Sequence, residues 1–114
     1  MLDVTKEMIE KLDEILPTYQ DTPNQKLDVP VITYFLYSDP QQETGDTQIY
    51  STISYVIKVW DTNIENMMAN TLLVDDAMRS LGYRRTNINQ MGDGTLFSNV
   101  LTYSGKAKEF LNEV

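Results

Sequence analysis

The sequence predicts an α+β fold in which helices pack on one face of a four-stranded antiparallel (mixed) sheet. Three observations predict this fold class. Apolar residues recur every three or four positions over residues 4–16 and 64–81, as in amphipathic helices. Two strand-like segments lie between these helices, and two more follow the second helix. The predicted order is therefore α-β-β-α-β-β, within a single domain spanning residues 1–114.

The first helix is predicted over residues 4–16, where charged side chains occupy the face opposite the apolar stripe. Asp3 or Thr5 can cap its N-terminus, and Pro17 ends it because proline cannot continue the helix. Residues 17–30 contain three prolines and few large apolar groups, so we expect an extended connector there.

The first pair of strands is predicted over Val31–Tyr37 and Gln48–Trp60, separated by an acidic loop at residues 38–46. The earlier strand is apolar on both faces, which favours a central or helix-covered position. In the later strand, we assign the face that carries Ile53, Tyr55 and Ile57 to the core. Successive residues of this strand alternate between this face and the opposite one, as expected of a strand.

The second helix is predicted from signals at both ends. Thr62 and Glu65 have the spacing of a capping box, in which each side chain bonds the other's backbone N–H. Gly82 supplies the left-handed residue that ends the helix, and Arg79 lies in the last turn, where the helix dipole favours a cation. The predicted apolar stripe consists of Ile64, Met67, Met68, Leu72, Val74, Met78 and Leu81.

The last two strands are predicted over Tyr83–Gln90 and Leu96–Tyr103. The turn between them, residues 91–95, contains an Asp-Gly pair that begins at Asp93 and is typical of hairpins. The final segment, residues 106–114, is expected to form a short helix or to fray.

Composition excludes several classes of chemistry. The chain has no cysteine and no histidine, which excludes thiol and imidazole catalysis, disulfides and nearly all transition-metal sites. No pair of acids lies in apolar strand context, where burial would raise a carboxyl pKa for acid–base work. We therefore expect neither an enzyme nor a cofactor.

A calcium loop is also not expected. Asp61, Asn63 and Glu65 resemble the opening of such a loop, but its sixth and twelfth positions hold Asn66 and Leu72 instead of glycine and glutamate. Helix capping explains these residues better, so no metal site is predicted.

The charge distribution is uneven. The net charge is −8, of which residues 1–57 carry −7 (3 basic and 10 acidic side chains) and residues 58–114 carry −1 (6 and 7). Such a chain repels nucleic acid and anionic membranes, and the asymmetry suits association of identical copies. No apolar segment approaches the length that spans a bilayer, and the acidic N-terminus is unlike a secretory signal.

Three arginines form the basic cluster, Arg79, Arg84 and Arg85. Because neighbouring residues of a strand point to opposite faces, Arg84 and Arg85 cannot build one stripe for nucleic acid. We expect them to pair with acids, and pairing within the chain and pairing with another copy remain equal alternatives.

Four segments of the sequence carry a family resemblance: "PVITYFLY", "IYSTISYVIKVWD", "VDDAMRSLGYRR" and "NINQMGDGTLFSNVLTYSG". Over residues 30–104, about two-thirds of the chain, this arrangement resembles the small tail completion or tail terminator proteins of long-tailed bacteriophages and prophages. The most telling features are the strand that ends in "VWD" before a helix and the "LGYRR" that leads into the last hairpin.

The resemblance implies a non-enzymatic virion protein without cofactors. Such a protein caps the head-proximal end of the tail tube as a six-membered ring and contacts the tail tube protein and a head-completion protein. It is assembled in the host cytoplasm, ends in the virion and is not secreted. Contacts are expected at sheet edges, hairpins and loops, chiefly residues 38–47 and 91–95. The candidate interface residues are Asp39, Glu43, Asp46, Arg79, Arg84, Arg85 and Asp93.

Two other function classes fit the sequence. The first is an acidic adaptor or inhibitor that binds a basic partner protein. The second, weaker alternative is a small-ligand domain with a pocket under the second helix.

We predict that the free protein does not bind duplex DNA at physiological salt. The net charge of −8 opposes the phosphates, and the arginines face apart. Fluorescence anisotropy with a labelled duplex checks this, and binding tighter than the micromolar range of non-specific complexes would contradict it.

Overall fold

A computed structural model describes residues 3–22, 26–38, 52–92 and 94–106 of the chain. These residues form two helices, α1 (Asp3–Asp13) and α2 (Ile64–Ser80). They also form five strands: β1 (Thr18–Gln20), β2 (Val31–Ser38), β3 (Thr52–Asp61), β4 (Arg84–Gly92) and β5 (Phe97–Lys106). The α+β class is as predicted. Neither described helix is long and apolar enough to cross a membrane.

The five strands form one mixed sheet in the order β1-β2-β3-β5-β4. All neighbouring strands are antiparallel except β1, which runs parallel to β2. The prediction of four strands was therefore wrong, and the element order is α-β-β-β-α-β-β. The missed strand, β1, lies in the segment predicted to be a connector. Its three residues are too few to show an alternating pattern, and only pairing with β2 makes them a strand.

The core lies between the sheet and the two helices. On β3, the predicted face is confirmed, because Ile53, Tyr55 and Ile57 are fully buried. α1 contributes Met8 and Leu12 to the same cluster. The complete buried cluster consists of Met8, Leu12, Ile32, Tyr34, Ile53, Tyr55, Ile57, Val59, Met67, Val74, Ala77, Met78, Tyr83, Leu101 and Tyr103.

The start of α2 differs from the predicted capping box. Asn63 is the N-cap, and its side-chain oxygen accepts the N–H of Asn66 (2.9 Å). The Asp61 carboxylate in turn accepts the N–H of Asn63 (3.0 Å). Because the cap lies one residue later than predicted, Thr62 and Glu65 are out of register for reciprocal capping. At the other end, Gly82 has the predicted left-handed conformation (φ 97°).

The predicted apolar stripe of α2 is wider than the face that the helix buries. Met67, Val74 and Met78 are buried as predicted, whereas Met68 and Leu72 are exposed. Ile64 also lies at the surface. The centre of the buried face instead carries Thr71 and Asp75, whose polar side chains bond β5.

The remaining boundaries need small corrections. β4 extends to Gly92, so Met91 and Gly92 belong to the strand and not to the turn. The predicted loop residues Asp39, Glu43 and Asp46, together with Asp93, lie outside the described residues. The final segment, residues 106–114, was predicted to be a short helix or frayed; Lys106 belongs to β5, and residues 107–114 lie outside the described residues as well.

We predict that Ile57→Asp unfolds the protein. Ile57 is fully buried beneath the helices, and an unpaired carboxylate there costs several kcal/mol against a total stability of about 5–15 kcal/mol. Circular dichroism during thermal unfolding measures the loss. Leu73→Asp, at a half-exposed position on α2, is the control and should keep a cooperative transition. A cooperatively folded Ile57→Asp protein would contradict the assigned core face.

Candidate interaction surface

The three predicted interface arginines do not form a free basic patch. The Arg79 Nε lies 3.0 Å from one carboxylate oxygen of Asp75, and the Arg85 Nη1 lies 3.5 Å from the other. Arg84 is exposed and forms no ion pair within the described part of the chain. Arg79 and Arg85 therefore pair within the chain. Both pair with Asp75, which was not among the predicted interface residues.

The two consecutive arginines lie on opposite faces of the sheet, as predicted. Arg85 is opposite Tyr103, whose side chain faces the helices, whereas Arg84 is opposite Ser104 on the helix-free face. Only Arg85 can therefore reach α2. This alternation separates a structural arginine from one that is available at the surface.

The Asp75 carboxylate receives three donors. Besides the two guanidinium groups, the hydroxyl of Tyr103 donates to Asp75 Oδ1 at 2.8 Å. Burial, followed by the hydrogen bond to Asp75, raises the pKa of Tyr103 well above the usual value for tyrosine. The hydroxyl therefore remains a donor across the neutral range. The three partners come from α2, β4 and β5, so one carboxylate connects three elements.

A second polar contact lies one helical turn before Asp75. The Asn99 side-chain amide donates to Thr71 Oγ1 (2.8 Å), and that hydroxyl donates to the carbonyl of Met67 (2.7 Å). Both Thr71 and Asn99 are buried. Since buried polar groups need their partners, these two contacts fix the position of α2 along β5.

Four exposed apolar side chains lie near the β4 edge of the sheet. They are Ile64, Met68 and Leu72 on α2 and Ile88 on β4, and we call them the α2–β4 strip. Leu72 is 67% exposed and Ile88 is 45% exposed. The helical residues are spaced by four, and Leu72 precedes Asp75 by three residues; because Asp75 pairs with Arg85 of β4, they lie towards the β4 side of α2. Ile88 is opposite Leu101 and thus lies on the helix face.

The two edges of the sheet differ. β4 is nine residues long, all of them exposed, and β5 is its described neighbour. β1 has only three residues, and the N–H of Thr18 donates to the carboxylate of Asp13 (3.1 Å). The β1 edge is thus short and partly capped, which disfavours addition of another strand. Among the described residues, β4 is the open edge, with one irregularity between Arg85 and Asn87.

The helix-free face carries a cleft, but its cation is already paired. Lys58 lies 2.9 Å from Asp21, and its ammonium is 5.7 Å and 5.9 Å from the ring centroids of Phe35 and Trp60. The Trp60 indole N–H donates to Thr33 (3.0 Å). Beneath α2, by contrast, core side chains fill the space, which disfavours the small-ligand alternative.

Asp75 and Ile88 both contribute to the candidate interaction surface, but neither was predicted from the sequence. The spacing of Asp75 and Arg79, four residues apart on a helix, was a local signal that could have been used. The contacts of Asp75 with Arg85 and Tyr103 have no local signal, because they depend on how α2 lies across the sheet. Ile88 was hidden for the same reason.

Comparison with known proteins gives a fold similarity and no family. No family model and no curated protein matches the chain. Among solved structures, the chain is similar to a protein from the virion of a native gene transfer agent particle. The TM-score is 0.51 at 10% sequence identity, and the match covers 87% of this chain and 90% of that chain. At this identity the similarity concerns the fold.

We predict that Asp75→Asn lowers the free energy of unfolding by about 1–3 kcal/mol, because the charge that holds two guanidinium groups and a buried hydroxyl is lost. Urea denaturation measures the change. The adjacent Asp76→Asn is the matched control, and it should change stability by less than about 0.5 kcal/mol because Asp76 is exposed. Equal losses in the two variants would show that the Asp75 contacts do not stabilise the fold.

Proposed function

We propose that this protein is a non-enzymatic structural component of a phage or prophage virion, which caps the head-proximal end of a tail tube and takes part in head–tail joining. One observation carries the proposal: the fold similarity to a virion protein extends over nearly all of both chains. A match of this extent concerns the arrangement of the whole domain and not a shared local motif.

The sequence resemblance supports the same class of protein and adds the finer role. It lies in the segments of residues 30–104 that form β2, β3, α2 and the last hairpin. The partners in this proposal are the tail tube protein, a head-completion protein and further copies of the chain in a hexameric ring. No part of the role requires a cofactor or a catalytic residue.

A ring requires two different surfaces on each copy, because its contacts are heterologous. The charge asymmetry of the chain suits such contacts. In the proposed ring, the acidic residues Asp39, Glu43 and Asp46 of one copy meet the arginine region of the next. An acidic lumen would repel phosphates and let DNA pass without binding.

The geometry narrows the arginine side of this contact to one residue. Arg79 and Arg85 are held by Asp75, whereas Arg84 points to the helix-free face and is exposed. Reversing the charge of Arg85 would place a carboxylate beside Asp75 and disturb the fold. Arg84→Glu is therefore the informative variant.

We predict that Arg84→Glu leaves the fold intact and lowers the yield of normal-length tails joined to heads. A rim ion pair contributes about 0.2–1 kcal/mol, so the main effect should be on the rate of assembly. The measurement is electron microscopy of tails completed with added protein. Lys26→Glu makes the same charge change at another exposed position and is the control.

Combining Arg84→Glu with Glu43→Lys and Asp46→Lys should restore part of the yield. A normal yield with Arg84→Glu alone would contradict the proposed contact and leave the virion role standing. Wild-type protein that neither binds tube ends nor supports joining would contradict the virion role itself. Binding to a basic partner in place of tubes would favour the adaptor alternative.

A further inference from the structure

The open edge of β4 is the least protected backbone in the described part of the sheet. All nine of its residues are exposed, and the N–H of Ile88 donates to the side chain of its neighbour Asn87 (2.9 Å). This N–H therefore points away from β5. An exposed edge strand of this length is a template for pairing with another strand.

We propose that the free protein forms a two-fold symmetric dimer through this edge. The β4 strands of two copies pair antiparallel with Ile88 on the symmetry axis, and two five-stranded sheets become one continuous sheet. The inference concerns the free protein and does not rest on the proposed virion role.

The register follows from the direction of the Ile88 N–H. In an antiparallel pair, a residue whose N–H and C=O point outward exchanges both hydrogen bonds with the residue opposite. Ile88 is also the central residue of Arg84–Gly92, so the two strands overlap along their length, and the irregularity between Arg85 and Asn87 interrupts the regular ladder. The Asn87 side chain is exposed and can release the N–H by changing rotamer.

This register keeps like charges apart. Arg84 and Arg85 of one copy then lie near Met91 and Gly92 of the other. The two Arg84 side chains are then eight positions apart, roughly 27 Å along the strand at about 3.4 Å per residue. The Debye length at physiological salt is only about 8 Å, so their repulsion is largely screened.

The α2–β4 strip gives this pairing an apolar component. Its strand member, Ile88, lies on the axis beside its symmetry mate, and Met68 and Leu72 of each copy lie on the same side of the sheet. A two-fold axis joins identical surfaces, so an apolar strip meets an apolar strip. Because the α2–β4 strip lies beside the β4 edge, pairing of the two β4 strands would bury part of it.

The opposite edge is a poorer partner for β4. β1 has three residues, and Asp13 already accepts the N–H of Thr18. Pairing β4 with β1 of another copy would leave most of the nine-residue edge open to water. Self-pairing satisfies more backbone groups, which is why the second copy is placed on the same edge.

Sedimentation velocity over a concentration series tests the association. Wild type should convert from monomer to dimer as concentration rises, and Ile88→Lys should weaken the dimer at least about tenfold because two like charges then meet on the axis. Leu73→Lys introduces the same charge on the α1 side of α2 and should behave as wild type. Circular dichroism checks that both variants fold. A wild-type monomer at all concentrations, or equal effects of the two variants, would overturn the proposal.

Disulfide formation tests the symmetry, because the chain has no cysteine of its own. Ile88→Cys should cross-link to its symmetry mate, since opposed residues with exchanged hydrogen bonds have Cα atoms about 5.5 Å apart, within disulfide range. Met91→Cys is the control: its two copies would be six positions apart, roughly 20 Å, and should not cross-link. Equal cross-linking at both positions would indicate random collision, and higher oligomers without cross-linking through position 88 would indicate head-to-tail contacts. Either result would contradict the two-fold dimer.

Discussion

The Asp75 carboxylate is the interaction on which the arrangement of α2 over the sheet depends. It is nearly buried, with 10% of its side chain exposed. It forms ion pairs with Arg79 on its own helix and Arg85 on β4, and it accepts a hydrogen bond from Tyr103 on β5. A buried charge is tolerated only when donors replace its lost water, and here three donors do so. The edge strand β4 is thereby attached to the helix as well as to β5. Removing any one partner would leave the others only partly satisfied.

Satisfying Asp75 changes which residues remain for association. Two of the three arginines in the basic cluster share one carboxylate within the chain, so less basic charge is available at this edge of the sheet than the sequence indicates. Ile88 and the exposed residues of α2 remain at the surface beside Arg84. Surface ion pairs contribute little, whereas apolar area removed from water contributes in proportion to its size. Contacts between copies at this edge are therefore expected to depend first on the strip and the open backbone, with charge setting their register.

Local patterns predicted the elements that carry their own period. Both helices, β3 and the core face of β3 followed from apolar spacing, because burial of one face imposes that spacing on the sequence. β2 followed from its density of β-branched and aromatic residues. β1 did not, since three residues have no period and their strand conformation comes from β2. The width of the buried face of α2 was also overestimated: Thr71 and Asp75 occupy its centre because Asn99 and Tyr103 lie opposite them. These partners are 28 residues away in the sequence, and no local pattern connects them. For the same reason, the three arginines among the predicted interface residues were treated as one cluster, whereas two of them pair with Asp75 and Arg84 has no ion pair within the described residues.

The difference between the two sheet edges also constrains any ring that this chain forms. A ring built by continuous strand pairing would need β4 of each copy to add to β1 of the next, but β1 is short and Asp13 occupies its outer N–H. Lateral contacts in the proposed ring would then come from loops and side chains instead of strand pairing. The long edge of β4 is then available for the proposed pairing with a second copy. Self-pairing of β4 closes after two copies, because the symmetry axis consumes the edge of both, and it cannot propagate into a filament. Strand pairing by a protein with one open edge and one capped edge therefore gives a finite assembly, because pairing of β4 with β4 leaves no open edge for a third copy.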